Sequence, residues 1–190
     1  SPHKDKMTKA TYSPSENVYE ADEAYGQETT QKLTDEQIDE FDVAVLSPGV
    51  PTDIPMVNSL RDRGVKIWGE IELAYTFGAG EIIAITGTNG KTTTTALTGE
   101  IMKGYYESSF VVGNIGIPYT SVALDTKEDS VTTAEISSFQ LETIVDFKPD
   151  VCAVLNITPD HLDRHGTVEV YAQTIHWKKP DKRPGNGIKL

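Results

Sequence analysis

The sequence predicts an α/β fold built on a doubly wound, mostly parallel sheet. Two observations carry that prediction. Short apolar runs of strand length alternate with helix-length runs, from "VAVL" at 43–46 to "TVEVYAQTIHW" at 167–177. Some of the strand runs, "EIIAIT" and "VCAVLNIT" among them, are apolar on both faces, as expected where helices cover a sheet from both sides.

The elements follow in order. Residues 1–33 are polar with few apolar anchors, and residues 1–40 are expected to be a poorly ordered or partial segment. "VAVL" reads as a short buried strand stopped by Pro48 and Gly49. A helix from about Pro55 to Arg63 ends at Gly64, and the strand "VKIW" follows, making a βαβ unit. "EIELAYTFG" is a short helix. From Glu81 the alternation resumes: strand "EIIAIT", loop "GTNG", helix "KTTTTALTGEIMKG", strand "FVVGN", a loop and short helix in "GIPYTSVAL", and strand "SVTTAEIS". The helix "SFQLETIVDF", the apolar strand "VCAVLNIT", the loop "PDHLDRHG" and the helix "TVEVYAQTIHW" complete the series. The basic, Pro- and Gly-rich end, 177–190, reads as a loose tail.

Composition narrows the function. The net charge is −12, so the global basic footprint of a nucleic-acid binder is absent. Much of the acidity lies between Ser15 and Asp42, a pattern usual for solvated surface. No apolar run reaches the roughly 20 residues of a membrane helix, so no membrane insertion is expected. The N-terminus has no apolar core of a secretory signal, and the single Cys152 excludes an internal disulfide; both fit a cytoplasmic location.

The run "AITGTNGKTTTT", Ala84–Thr95, carries the chemistry. A strand, a glycine-rich turn and a helix start form the context of a phosphate cradle: backbone N–H groups and the positive helix end attract an anion. Gly87 and Gly90 let the backbone approach a phosphate, with Thr88 and Asn89 between them. Lys91 is placed to reach terminal phosphates, Thr92 to hold Mg²⁺, and Thr93 to add a phosphate contact. The strict G-x-x-x-x-G-K-[ST] pattern needs glycine where Ile85 stands, so this is a variant P-loop. A plain turn with a polar cap is the bland alternative. Four threonines at a helix start oppose helix propensity, which favours a functional loop.

Other polar groups fall at expected strand ends, where open α/β sheets bind ligands. They are Asn114, then Glu135 with Ser137 and Ser138, then Asp160, His161, Asp163, Arg164 and His165. A carboxylate on a buried strand needs a partner, and Mg²⁺ is the candidate for Glu135; a salt-bridged or exposed strand-end glutamate is the alternative. His165 is expected in a surface or capping role. Zinc lacks ligands, since Cys152 lies within a strand. The residues together suggest Mg²⁺-assisted phosphoryl transfer or hydrolysis.

"TGTNGKTTTT", "GNIGIP", "AEISSFQLE" and "NITPDHLDRHG" occur in the order and spacing of the Mur ligases of peptidoglycan synthesis, which residues 41–171 resemble. "SSFQLE", "LSPGVP" and "GEIELAY" look most like the branch that adds D-glutamate to UDP-N-acetylmuramoyl-L-alanine. The resemblance implies an ATP-dependent amide ligase working through an acyl phosphate. It implies that Lys91 binds ATP phosphates and that Thr92, Glu135 and His161 are metal ligands, with Lys91, Glu135 and His161 as the catalytic set. Asn114, Ser137, Ser138 and Tyr171 are implied near the substrate. It also implies that 41–78 are a remnant of a Rossmann-like domain for the uridine substrate and 79–176 a partial central ATP-binding domain. Two departures stand out. Ile175 occupies the position of the family's metal-binding lysine, and by the resemblance the C-terminal ligase domain is expected to be missing from these residues. A nucleotide-binding module without turnover therefore stays open beside the ligase, and self-association is expected from apolar surface left uncovered. A different P-loop enzyme, a kinase or NTPase, is opposed by "SSFQLE" and "DHLDRH"; a wholly structural role is the remaining alternative.

Overall fold

The computed structural model describes residues 33–175 except Ile115. The expected tail at 177–190 and most of the expected disordered segment at 1–40 lie outside the described residues. Residues 33–44 with 51–67 form one compact body, and 45–50 with 68–175 another.

The first body holds α1 (Asp35–Ile38), α2 (Pro55–Asp62) and the starts of strands β1 (Val43–Leu46) and β2 (Lys66–Gly69). Thr34 and Gln37 close a reciprocal capping box on α1. Proline opens α2, where its missing N–H costs nothing. A small core of Ile38, Leu60 and Val65 lies beneath, and the Lys66 N–H donates to Asp42 O at the strand starts. Arg63 pairs with Asp39 and, at 3.3 Å, with Asp35; its guanidinium holds the Asp39 carboxyl below the usual range.

The second body is a parallel sheet of β3 (Glu81–Thr86), β4 (Ser109–Gly113), β5 (Val131–Glu135) and β6 (Val151–Val154), in the order β4-β5-β3-β6. The chain leaves β3 through α4 (Lys91–Met102) and skips a place to β4. From β5 it crosses back over β3 to β6. Strand β3 is thus the point where connections diverge, and the crevice beyond its carboxyl end is where such sheets take ligands.

Alternation gives each face its partner. Ile82, Ala84, Val112 and Ala134 pack with α3 (Glu70–Phe77), α5 (Tyr119–Val122) and α8 (Val168–Ile175) through Ile71, Ala74, Tyr119, Tyr171 and Ile175. Burial pushes the Tyr119 phenol up to about 12. The opposite face meets α4 through its small residues. A Cβ on Gly99 would lie 2.2 Å from Val111 Cγ2, so only glycine lets the helix approach this closely. The register aligns Glu135 with Ile85 on that side.

Three expectations need correction. The helix expected over 138–147 is only α6, Ser138–Leu141. The amides of Val145, Asp146 and Phe147 donate instead to the buried Glu72 carboxylate at 2.8, 2.8 and 3.0 Å, which unwinds the rest. The strand expected over 151–158 stops at Val154, and β6 is not buried on both faces: Val151 is 56% exposed. The segment expected as the loop 159–166 contains α7, Leu162–His165.

Candidate functional site

The loop between β3 and α4 has the backbone that its glycines allow. Gly87 has φ +133° and Gly90, the N-cap of α4, φ +84°. A Cβ on Gly87 would sit 3.0 Å from Asn156 O and 3.1 Å from the amides of Leu155 and Asn156, all backbone atoms that cannot yield. The amides of Lys91, Thr92 and Thr93 open the helix, where no intrahelical acceptor exists, and they point the dipole's positive end outward. The Lys91 ammonium folds over the loop and donates to Gly87 O at 2.7 Å and Thr88 O at 2.9 Å. An ammonium satisfied by weak carbonyl acceptors is poised to exchange them for charged oxygens.

Glu135 closes β5 next to this loop and is 1% exposed. Its two carboxylate oxygens each accept one side-chain hydrogen bond. Thr92 Oγ1 donates to Oε2 at 3.0 Å and Asn114 Nδ2 to Oε1 at 3.1 Å. Thr92, Glu135 and Asn114 therefore form one cluster at the mouth of the loop. Thr93 is exposed on the first turn of α4.

The other residues expected at the site lie on α6, α7 and α8 and at the N-caps of α6 and α7. Ser137 caps α6 in a reciprocal box with Gln140. Ser138 is buried, and its Oγ meets His165 Nε2 at 3.0 Å. His165 is thus no surface group: it is 7% exposed, lies against the rings of Phe139 and Tyr171, and burial pushes its imidazole pKa down. Glu142 stands 3.7 Å from its Nδ1 and pairs with Arg164 at 2.6 Å. His161 lies on the Phe139 ring at 4.8 Å, with Asp160 3.6 Å from its Nε2. Its position is thus set by Asp160 and Phe139, and among the described residues no three His, Cys, Asp or Glu side chains gather as a metal cluster. Tyr171 is 2% exposed, and its OH lies 3.1 Å from Thr88 Oγ1, a residue of the loop itself. Ile175 is fully buried in the core.

One residue went unread in the sequence. Asn156 reaches Asn89 through both ends of its carboxamide, accepting from the amide at 2.8 Å and donating to the carbonyl at 2.8 Å. It lies inside the quoted stretch "NITPDHLDRHG", but its partner is 67 residues away.

Residues 85–176 match the family described as Mur ligase middle domain. The chain belongs to the Mur ligase family. Curated Mur ligases extend the match into the first body. A UDP-N-acetylmuramoylalanine--D-glutamate ligase of Lachnoclostridium phytofermentans is 63% identical over 141 residues, 74% of this chain and 31% of that protein. Proteins of the same name from Lachnospira eligens and Alkaliphilus metalliredigens are 61% and 58% identical over 72% and 70% of this chain. This Mur ligase chain spans about three-tenths of the length of those relatives. Among its described residues no helix is long and apolar enough to cross a membrane.

Proposed function

We propose that this chain supplies the nucleotide-binding part of a cytoplasmic, ATP-dependent amide ligase that joins D-glutamate to UDP-N-acetylmuramoyl-L-alanine. One observation carries the proposal: a glycine-shaped strand-to-helix corner presents free helix-end amides and the Lys91 ammonium beside a buried carboxylate. The relatives' names supply the substrates. In the proposed reaction the substrate carboxylate attacks the terminal phosphorus of ATP and ADP leaves. The amine of D-glutamate then attacks the acyl phosphate, and phosphate departs as the amide forms. Lys91 and the amides of Gly90–Thr93 hold the polyphosphate, with Thr88 and Asn89 shaping the loop between Gly87 and Gly90. Asn114, Ser137, Ser138 and Tyr171 are proposed to serve the uridine substrate, the buried Ser138 and Tyr171 only through their contacts with His165 and Thr88.

The donor set fits Mg²⁺. Thr92 Oγ1 and Glu135 Oε2 are hard oxygen donors 3.0 Å apart, and Mg²⁺ is usually held by one or two protein oxygens plus phosphate and water. Bound there, the ion would neutralise charge on the transferring phosphoryl group. His161 is proposed as a ligand of a second ion, reached only if it leaves Asp160 and the Phe139 ring. The proposed division assigns 41–78 to a uridine-binding domain and 79–176 to a central ATP-binding domain.

A second reading has an observation of its own. The fully buried Ile175 stands where the family's metal-binding lysine is expected, which favours a nucleotide-binding module without turnover. Two assays separate these readings. Mg²⁺·ATP at 100 times its Kd stabilises a binding-competent chain by about 2.7 kcal/mol. For a chain of this size that raises the melting temperature by about 5–10 °C. Lys91→Ala abolishes the rise; no rise in the wild type refutes the nucleotide site. Phosphate release that needs both UDP-N-acetylmuramoyl-L-alanine and D-glutamate supports the ligase, and binding without release supports the module.

A further inference from the structure

Residues 87–89 are braced from outside the loop chiefly by Asn156. The Thr88 N–H donates to Asn156 O at 3.1 Å, and both backbone groups of Asn89 are taken by the Asn156 carboxamide at 2.8 Å. The orientation of that carboxamide is fixed by its partners, one a donor and one an acceptor. A second brace backs the first: Thr88 Oγ1 accepts from the Thr158 amide at 3.0 Å and lies 3.1 Å from the Tyr171 hydroxyl. Gly87 is pressed against the backbone of 155–156 with no room for a side chain.

From this we infer that Asn156 is a positioning residue for the phosphate loop, and that it divides the loop's amides into two sets. The amides of Thr88 and Asn89 are spent on Asn156 and give nothing to an anion. Those of Gly90, Lys91, Thr92 and Thr93 carry all of the backbone phosphate binding. The inference rests on the nucleotide reading above. Its physical sense is preorganisation: a loop already fixed in the binding shape loses less freedom when the ligand arrives. The carboxamide is suited to this, since a single side chain must both accept and donate. An aspartate in its place would set a carboxylate oxygen against the Asn89 carbonyl.

The test is amide hydrogen exchange on the full chain with and without Mg²⁺·ADP, with nucleotide affinity measured in parallel. In the wild type the nucleotide slows exchange at residues 90–93 and leaves 88 and 89 unchanged. Nucleotide-dependent protection at Thr88 or Asn89 overturns the division. Asn156→Ala speeds exchange at Asn89 about fivefold to tenfold without nucleotide. It also weakens Mg²⁺·ADP about tenfold, with the unfolding midpoint near that of wild type. Asn156→Asp, which keeps the acceptor and loses the donor, binds at least as weakly as Asn156→Ala and guards against a folding failure of the latter. Equal affinity in the wild type and both variants overturns the positioning role alone. A wild type that takes up no nucleotide overturns the phosphate reading, and the positioning role with it.

Discussion

Glu72 provides the sharpest test of how the site-bearing body is held together. Its carboxylate is fully buried on α3 and has three amide donors. Oε2 takes Val145 and Phe147, and Oε1 takes Asp146. Glu72→Ala removes all three acceptors, but the losses differ. Val145 is 65% exposed and Asp146 is exposed, so their amides turn to water and each bond costs about 0.5–1.5 kcal/mol. Phe147 is 5% exposed, and its stranded amide costs about 1–3 kcal/mol. With the lost packing, the variant is about 3–5 kcal/mol less stable. Glu72→Gln keeps one oxygen. Placed at the Oε2 position it retains two donors and turns its NH₂ toward Asp146, which water can serve; the cost is about 1–2 kcal/mol. Urea unfolding of the three proteins reads these values, with equal dependence on denaturant. Melting temperatures fall by about 10 °C and 4 °C for the two variants. Equal losses in Ala and Gln, or an Ala variant within about 0.5 kcal/mol of wild type, would refute the argument.

Two further outcomes follow from the packing and the buried imidazole. Gly99→Ala forces α4 off Val111 and costs about 1–3 kcal/mol, and Val111→Ala in the same chain restores at least about 0.5 kcal/mol of it in a double-mutant cycle; additive losses would mean the helix does not press on Val111. Burial lowers the His165 pKa below 6.5, so between the folded value and 6.5 the unfolded chain binds more protons and stability rises with pH. The His165 contribution is complete above 6.5 and is lost as pH falls through that window. Melting temperatures from pH 5 to 8 show this rise, and His165→Gln flattens it; an unchanged profile in the variant would assign the rise elsewhere.

What was legible in the sequence was local. The strand "EIIAIT" is β3 residue for residue, and α4 opens at Lys91, because strand period, glycine and helix start are all written within a dozen neighbours. The placement of Glu135 at a strand end, next to the loop, follows from the same alternation. What escaped was held by partners far along the chain. Asn156 and Asn89 are 67 residues apart, and Glu72 meets amides 73 to 75 residues on. Nothing in "EIELAY" announces that its second glutamate will cut α6 short. Apolar periodicity also says what a strand could bury, not what covers it, so it predicts a buried β6 although Val151 and Val154 are exposed. His165 departs from its expected surface role for the converse reason. Its neighbours in "DRHG" are polar, and the rings that bury it come from Phe139 and Tyr171.

The central claim is that the corner after β3 grips a polyphosphate. A crystal structure of the chain with Mg²⁺ and a non-hydrolysable ATP analogue tests it most directly. The account predicts that the Lys91 ammonium leaves the carbonyls of Gly87 and Thr88 for a phosphate oxygen, with the phosphates against the first turn of α4. A lysine still bonded to those carbonyls, and an analogue bound elsewhere or not at all, would contradict it.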